Sequence, residues 1–464
     1  MKIGFVVDHP NRDLPSGVMV AHALAKRGVE TVLIPLYDQA MDIPLLGLDA
    51  LVINHTRPAN QELVRGYHAM GLPVWTLDTE GGVLADDGAN SPNRMAKYVR
   101  DSGYGALLAG YFFWGPVLYS AFVESSGIAS ERLHITGCPR FDYASPRWRK
   151  VLTFDRTRYV LINTNFPLVN SLFSSSLDDE KNALIASGWQ PEYVDQIIAD
   201  SSQILIRYID TVRKLAMHFP DQSFIVRPHP FENTDRYSSE FSEQANITVD
   251  GTGSVLNTIH NSIGVIHLNC GTSIEAVLLG KKPLSMEFLN TPHMRSHSSL
   301  PSRVSQPVSS LDELIQEVSK LAVGEDDFDF ADRHAKVIEP WFYLNDGGAS
   351  DRIADVLLSS LQKLGKPALW PSILMSLGRL RQHSSLGQRL QALLSNVVGS
   401  YFSSRARAFF QPVRREKLLD LEIVSRSLAA LASYEGIALP NVSSATHPLT
   451  HCRLSSVLIS PNLK

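Results

Sequence analysis

The sequence predicts an α/β protein: two Rossmann-like domains facing across a cleft, followed by a helical C-terminal extension. Three observations carry this. Short apolar runs alternate with helical patterns over residues 2–143, and again over residues 159–286. The runs are apolar throughout rather than alternating, as in parallel strands covered on both faces. From about residue 351 the pattern turns helical and then strongly basic. At roughly 150 residues per domain the chain holds about three domains. The divisions fall at 1–147, 157–355 and 356–464.

In the first unit Ile3–Val7, Thr31–Pro35, Ala50–Asn54, Pro73–Leu77 and Leu133–Thr136 read as strands. Helical spacing over Pro15–Arg27 ends at Gly28, and over Gln61–Met70 it ends at Gly71, both natural C-caps. Another helix covers Gly115–Ser125, and residues 144–157 read as a linker. In the second unit the strands are Tyr159–Ile162, Ser223–Val226, Ile247–Val249, Gly264–His267 and Pro283–Met286. The helices are Gln203–Phe219, Val255–Asn261 and Ser273–Gly280. Beyond them Ile353–Leu364 and Leu418–Tyr434 read as helices, and a polar tail closes the chain as a poorly ordered end.

Composition narrows the function. Lys and Arg number 43 against 47 Asp and Glu, a net charge of −4, which is no signature of nucleic-acid binding. The three cysteines, Cys138, Cys270 and Cys452, lie far apart and form neither a disulfide framework nor a CxxC zinc site. The opening apolar run stops at Asp8, short of a signal peptide, and no run spans a bilayer. A cytoplasmic protein is therefore expected.

In open parallel sheets ligands bind beyond the carboxyl ends of the strands. The unusual polar residues stand at those ends: Asp8, His9, His55, Arg57 and the Asp78-Thr79-Glu80-Gly81-Gly82 run in the first unit. In the second they are Asn163, Thr164 and Asn165, Arg227-Pro228-His229-Pro230, and Asn269-Cys270-Gly271-Thr272-Ser273-Ile274-Glu275. The last run stops a strand, turns on Gly271 and opens a helix at Thr272 or Ser273, offering backbone N–H groups to a phosphate. Glu275 in the first turn either binds a ribose hydroxyl or satisfies a backbone donor; the plain capped helix is the alternative. The two prolines of Arg-Pro-His-Pro fix the path around His229, and Arg227 suits bidentate phosphate binding. A stiff surface turn is the alternative there. Asp78 and Glu80 offer a carboxylate to deprotonate a hydroxyl or to attack a sugar carbon, or they are solvated loop acids. His293 and His297 stand four apart, but no nearby acid completes a metal set, so none is assigned.

In the order in which they occur, several stretches resemble the bacterial surface carbohydrate (surface polysaccharide) biosynthesis proteins. They are Lys2–Pro10, Leu45–Ile53, Arg57–Asn60, Leu77–Gly82, Thr136–Asp142, Leu161–Phe166, Arg227–Pro230, Asn269–Glu275 and Asp346–Arg352, and they span about residues 1–360. The resemblance implies a GT-B-like glycosyltransferase of capsule, O-antigen (lipopolysaccharide) or related glycan synthesis. The Arg-Pro-His-Pro and Gly-Thr-Ser-x-Glu pair is also similar to polyol-phosphate transferases of the teichoic-acid type and to retaining Kdo transferases. In those relatives the His-Pro and Ser/Thr motifs bind nucleotide phosphates. Carried over, that implies His229, Thr272 and Ser273 for the donor.

The expected reaction is therefore sugar transfer from a phosphate-activated donor to a glycan or lipid-linked acceptor, without a cofactor. Arg227, His229, Asn163, Asn165, Asn269, Gly271, Thr272, Ser273 and Glu275 are expected around the donor. Asp78 or Glu80 is expected at the chemistry, with Asp8, His9, His55 and Arg57 on the acceptor side. A polyol-phosphate transferase, a nucleotide-sugar epimerase and a non-catalytic assembly partner are the alternatives. Between Lys363 and Lys417 ten basic residues stand against one acid, Glu416, with Trp370, Tyr401, Phe402, Phe409 and Phe410 interleaved. That segment is either a docking face for anionic lipid at the inner face of the cytoplasmic membrane or an ordinary packing face.

Overall fold

The computed structural model describes residues 1–79, 91–154, 158–174, 176–186, 189–325, 327–363, 417–446, 451 and 453–462. Glu80, with Gly81 and Gly82, and the 363–417 segment other than its two end lysines lie outside the described residues.

Among the described residues the strands form two sheets. The first holds β1 (Lys2–Val7), β2 (Glu30–Pro35), β3 (Ala50–Ile53), β4 (Val74–Leu77), β5 (Gly110–Phe113) and β6 (Leu133–Ile135), all parallel. The second holds β7 (Tyr159–Asn163), β8 (Ser223–Arg227), β9 (Ile247–Val249), β10 (Gly264–His267), β11 (Pro283–Ser285) and β12 (Gln306–Pro307), also parallel. β3, β4, β5, β7 and β10 are buried at every residue, because helices cover both faces. The two-domain α/β expectation is met.

The strand orders locate the ligand crevices. The first sheet runs β2-β1-β3-β4-β5-β6, so the chain reverses direction of growth between β1 and β3. The second runs β12-β11-β10-β7-β8-β9, with its reversal between β7 and β10. At such switch points the loops leave in opposite directions and open a crevice at the strand ends.

The C-terminal third departs from the expected layout in two ways. Residues 330–361, divided at 355 between the second unit and the C-terminal extension, pack on the first. Asp142 accepts hydrogen bonds from the N–H groups of Ala349 and Ser350 (3.0 and 2.9 Å) and from the Ser350 hydroxyl (2.7 Å), capping the helix Ala349–Leu361. Gly115 lies so close to Trp341 that a Cβ there would stand 2.2 Å from its carbonyl carbon. The tail, read as polar and poorly ordered, instead contains β13 (Asn441–Thr446) and β14 (Arg453–Ser460). β14 pairs antiparallel with β2 and extends the first sheet to eight strands. Val457 and Ile459 are buried there, yet the apolar run Val457–Ile459 is short and flanked by serines, which leaves the strand within a polar stretch. The helix Leu421–Glu435 lies on the helix Pro10–Ala25, where Glu435 meets Lys26, His22 and Arg147 at 2.8 to 3.0 Å.

Candidate functional site

The switch point of the second sheet opens into a cavity that the first unit closes. Its volume is about 300 Å³. From the first unit it takes Asn11, Arg12, Thr79 and Arg140. From the second it takes the loops after β7 (Asn163–Asn165), β8 (Arg227–Phe231) and β10 (Cys270–Thr272), with Glu275.

The second unit builds its wall from internal hydrogen bonds. Asn163 donates from Nδ2 to the Thr272 hydroxyl (2.7 Å), tying the end of β7 to that of β10 across the switch point. Asn165 donates to the Asn269 carbonyl at 2.7 Å. Asn269 itself takes a left-handed backbone, φ 50°, which asparagine tolerates better than most residues. Its side chain pairs with Asn290 at 3.0 and 3.1 Å, so it braces the turn and does not line the cavity. Ser273 is likewise turned inward, donating to the Cys270 and Pro301 carbonyls at 3.0 and 3.4 Å. Beneath the turn the buried His267 accepts the Cys270 N–H on Nδ1 (3.3 Å), so Nε2 carries the proton toward Ser305 (2.8 Å). Burial lowers its pKa to about 4. The Cys270 thiol is pushed up by burial to about 11 and stays protonated.

His229 is fixed by its neighbours. Its N–H donates to the Thr164 hydroxyl (3.2 Å), and Thr164 donates to the buried Glu232 (3.0 Å). Glu232 also accepts from the Phe166 N–H (2.8 Å) and the Tyr237 hydroxyl; burial raises its pKa. The Nδ1 of His229 accepts the Phe231 N–H at 3.2 Å, so in the neutral ring the proton sits on Nε2. A rigid donor thus stands in the cavity wall. Arg227 is spent differently from the bidentate phosphate contact expected of it. It donates to the Thr252 and Gly253 carbonyls at 2.6 and 2.7 Å, holding that loop against β8, and burial lowers its pKa.

On the first unit Asp8 leaves the end of β1 and pairs with Arg12 (2.8 Å) and Lys417 (2.6 Å). The Lys417 ammonium also lies 4.5 Å from the centre of the Phe231 ring, a cation–π contact across the two units. His9 caps the helix Pro10–Ala25, accepting the Asn11 N–H on Nδ1 (3.2 Å), and meets Phe231 edge-on at 5.2 Å. Burial, then the charges of Lys417 and Arg12, depress its pKa to about 3, so it is neutral. Arg140 reaches across to Glu275, 3.0 Å apart, an ion pair whose angle falls short of a hydrogen bond. Burial raises the pKa of Glu275, and the Arg140 charge opposes it.

The cavity brings together Asn163, Asn165, Arg227, His229, Gly271, Thr272 and Glu275, with Asp8 and His9 behind Arg12 and Phe231. Asp78 lies in an adjoining recess with Asp13, Ser16 and Cys138, joined to the cavity through Thr79 and Arg140. His55 and Arg57 line neither space; the His55 carbonyl accepts from Asn60 (2.7 Å), and Arg57 is exposed at the start of the helix Pro58–Ala69. Sequence reasoning left Arg12, Arg140, Phe231, Glu232 and Lys417 without a role at the site. Arg12 was detectable as the i+4 partner of Asp8, and Arg140 stands in the Thr136–Asp142 stretch. Lys417 comes from 409 residues away and left no local signal.

Comparison with solved structures matches this arrangement. The wall teichoic acid polymerase TagF, as a histidine-to-asparagine variant soaked with CDPG, superposes with a TM-score of 0.50 at 11% identity. The match covers 78% of this chain and 89% of that one. The chain shares its fold, two Rossmann-like domains facing across a cleft in the GT-B arrangement. The UDP-GlcNAc 2-epimerase from Neisseria meningitidis bound to UDP-GlcNAc gives a TM-score of 0.48 at 14% identity, over 77% of this chain and 100% of that one. The S. aureus MnaA–UDP structure gives 0.49 at 14%, over 79% and 99%. No family model matches the chain, and no curated protein matches it.

Proposed function

We propose that the chain is a glycosyltransferase of bacterial surface polysaccharide synthesis, holding a phosphate-activated sugar between its two domains. One observation carries the reading. The switch point of the second sheet opens into a cavity that Asn11, Arg12, Thr79 and Arg140 of the first unit close, and its wall carries the oriented His229 imidazole beside the Asn163–Thr272 pair. A donor's phosphates fit that wall: His229 supplies an N–H and Thr272 a hydroxyl, and charge building on the leaving group is stabilised by donors already in place. Glu275 is screened by Arg140, so the wall presents less bare negative charge to an anionic ligand. Asp78, buried next door behind Thr79, is the carboxylate this reading assigns to the acceptor hydroxyl. The site needs no cofactor in this scheme.

A panel of nucleotide sugars and CDP-polyols, incubated with and without glycan acceptors, tests the reading. Acceptor-dependent sugar transfer supports it. Transfer of a polyol phosphate moves the assignment to the polyol-phosphate class, and donor conversion without acceptor moves it to an epimerase. No binding of any donor leaves a non-catalytic assembly role.

A further inference from the structure

We infer that a second, carbohydrate-binding site flanks the cavity, built from Trp189, Tyr193, His293 and His297. The inference rests on the transferase reading and assigns this site to the acceptor saccharide. Tyr193 stands in the first turn of the helix Pro191–His218, and the two histidines stand on the short helix Pro292–His297. The rings of Tyr193 and His293 are 4.5 Å apart, those of Trp189 and Tyr193 5.6 Å, and those of Trp189 and His297 5.5 Å. Tyr193 and His297 are also joined by a hydrogen bond between the hydroxyl and Nδ1 at 2.7 Å.

All four side chains are only half-buried. A ring cluster that serves packing alone is normally closed off from water, as at Tyr111, Phe113 and Phe122 in the first core. This one keeps amphipathic rings at the surface, each with an apolar body and a polar edge. Within it the Nε2 atom of His293 is buried and has no hydrogen-bond partner among the described residues. Such an atom is costly to leave unpaired, and a turn of the half-buried ring would offer it to a ligand hydroxyl. A pyranose matches both features, with a C–H face to lie on a ring and hydroxyls to pair at its edge.

The location fits an acceptor. The helix Pro292–His297 follows β11, the strand beside β10, so it sits at the same carboxyl edge as the cavity. Asn290, two residues before that helix, is hydrogen-bonded to Asn269, next to the cavity-lining Cys270. The patch therefore lies beside the donor cavity, at the same edge of the second sheet.

The test uses the full chain, a printed array of bacterial surface oligosaccharides, and nucleotide-sugar binding followed in parallel. The wild type is expected to bind at least one oligosaccharide. Trp189→Ala and His293→Ala are each expected to weaken it about 10-fold, as for loss of one aromatic pair, with nucleotide-sugar binding unchanged. Unchanged nucleotide-sugar binding also shows that the variants fold. Oligosaccharide binding equal in wild type and both variants overturns the inference. So does a wild type that binds nucleotide sugars but no oligosaccharide. A wild type that binds neither overturns the transferase reading, and this inference with it.

Discussion

At the scale of single residues the site is defined by which side chains line the cavity. Asn269, Ser273 and Arg227 hold their own loops through their side chains, while His229 and Thr272 stand in the cavity wall. Replacing His229 by Ala is therefore expected to lower donor turnover by at least about 100-fold while the fold survives, the usual reach of a group active in proton transfer or charge stabilisation. Near-normal turnover with an unchanged circular dichroism spectrum contradicts that role. His267 sets a pH dependence. Its folded pKa of about 4 lies below the ordinary 6.5, so the neutral ring is favoured by folding. The stability it contributes is complete above pH 6.5 and is lost as pH falls toward 4, on the order of 3 kcal/mol. A His267→Gln variant lacks that titration. Its melting temperature should lie well below the wild type at pH 7 and close to it near pH 4. A constant gap between the two is the contrary result.

At the scale of elements, the return of residues 330–361 to the first unit depends on close backbone contact. A methyl group at Gly115 would stand 2.2 Å from the carbonyl carbon of Trp341. Gly115→Ala is expected to cost about 2 kcal/mol or more, as overpacking does where backbone cannot yield. Urea unfolding measures it, and a midpoint equal to wild type would show that the contact relaxes freely. This return was not legible in the sequence, because its partners lie more than 200 residues apart: Gly115 with Trp341, Asp142 with Ser350. The local strands were legible, because each is a short apolar run closed by a polar loop. β5 (Gly-Tyr-Phe-Phe) was not read as a strand, since its run continues through Trp114 toward the helix Pro116–Ser125. β14 was hidden by its serines. Of the site, the strand-end residues were legible because switch-point crevices occur there. Which of them face inward depends on rotamers and partners such as Asn290 and Pro301, and no spacing rule supplies those.

At the scale of the whole molecule, the two units share one apolar core, in which Ile274, Leu278 and Val304 of the second belong with Trp114 and Phe141 of the first, and specific polar contacts join them at the cleft: Arg140 with Glu275, and Lys417 of the returning C-terminal segment against Phe231. Breaking a buried ion pair by removing one partner leaves the other charge uncompensated, at about 3 kcal/mol or more. Arg140→Ala is expected to show that loss in chemical denaturation, and Arg140→Ala with Glu275→Gln to recover part of it. No loss in the single variant would mean the pair does not couple the units. A crystal structure of the chain with a bound nucleotide sugar tests the central claim most directly. The ligand's phosphates are predicted to lie between the sheets, within hydrogen-bond reach of His229 and Thr272, with residues of both units touching the ligand. A ligand seated on one unit alone, or away from the loops after β7, β8 and β10, would contradict the account.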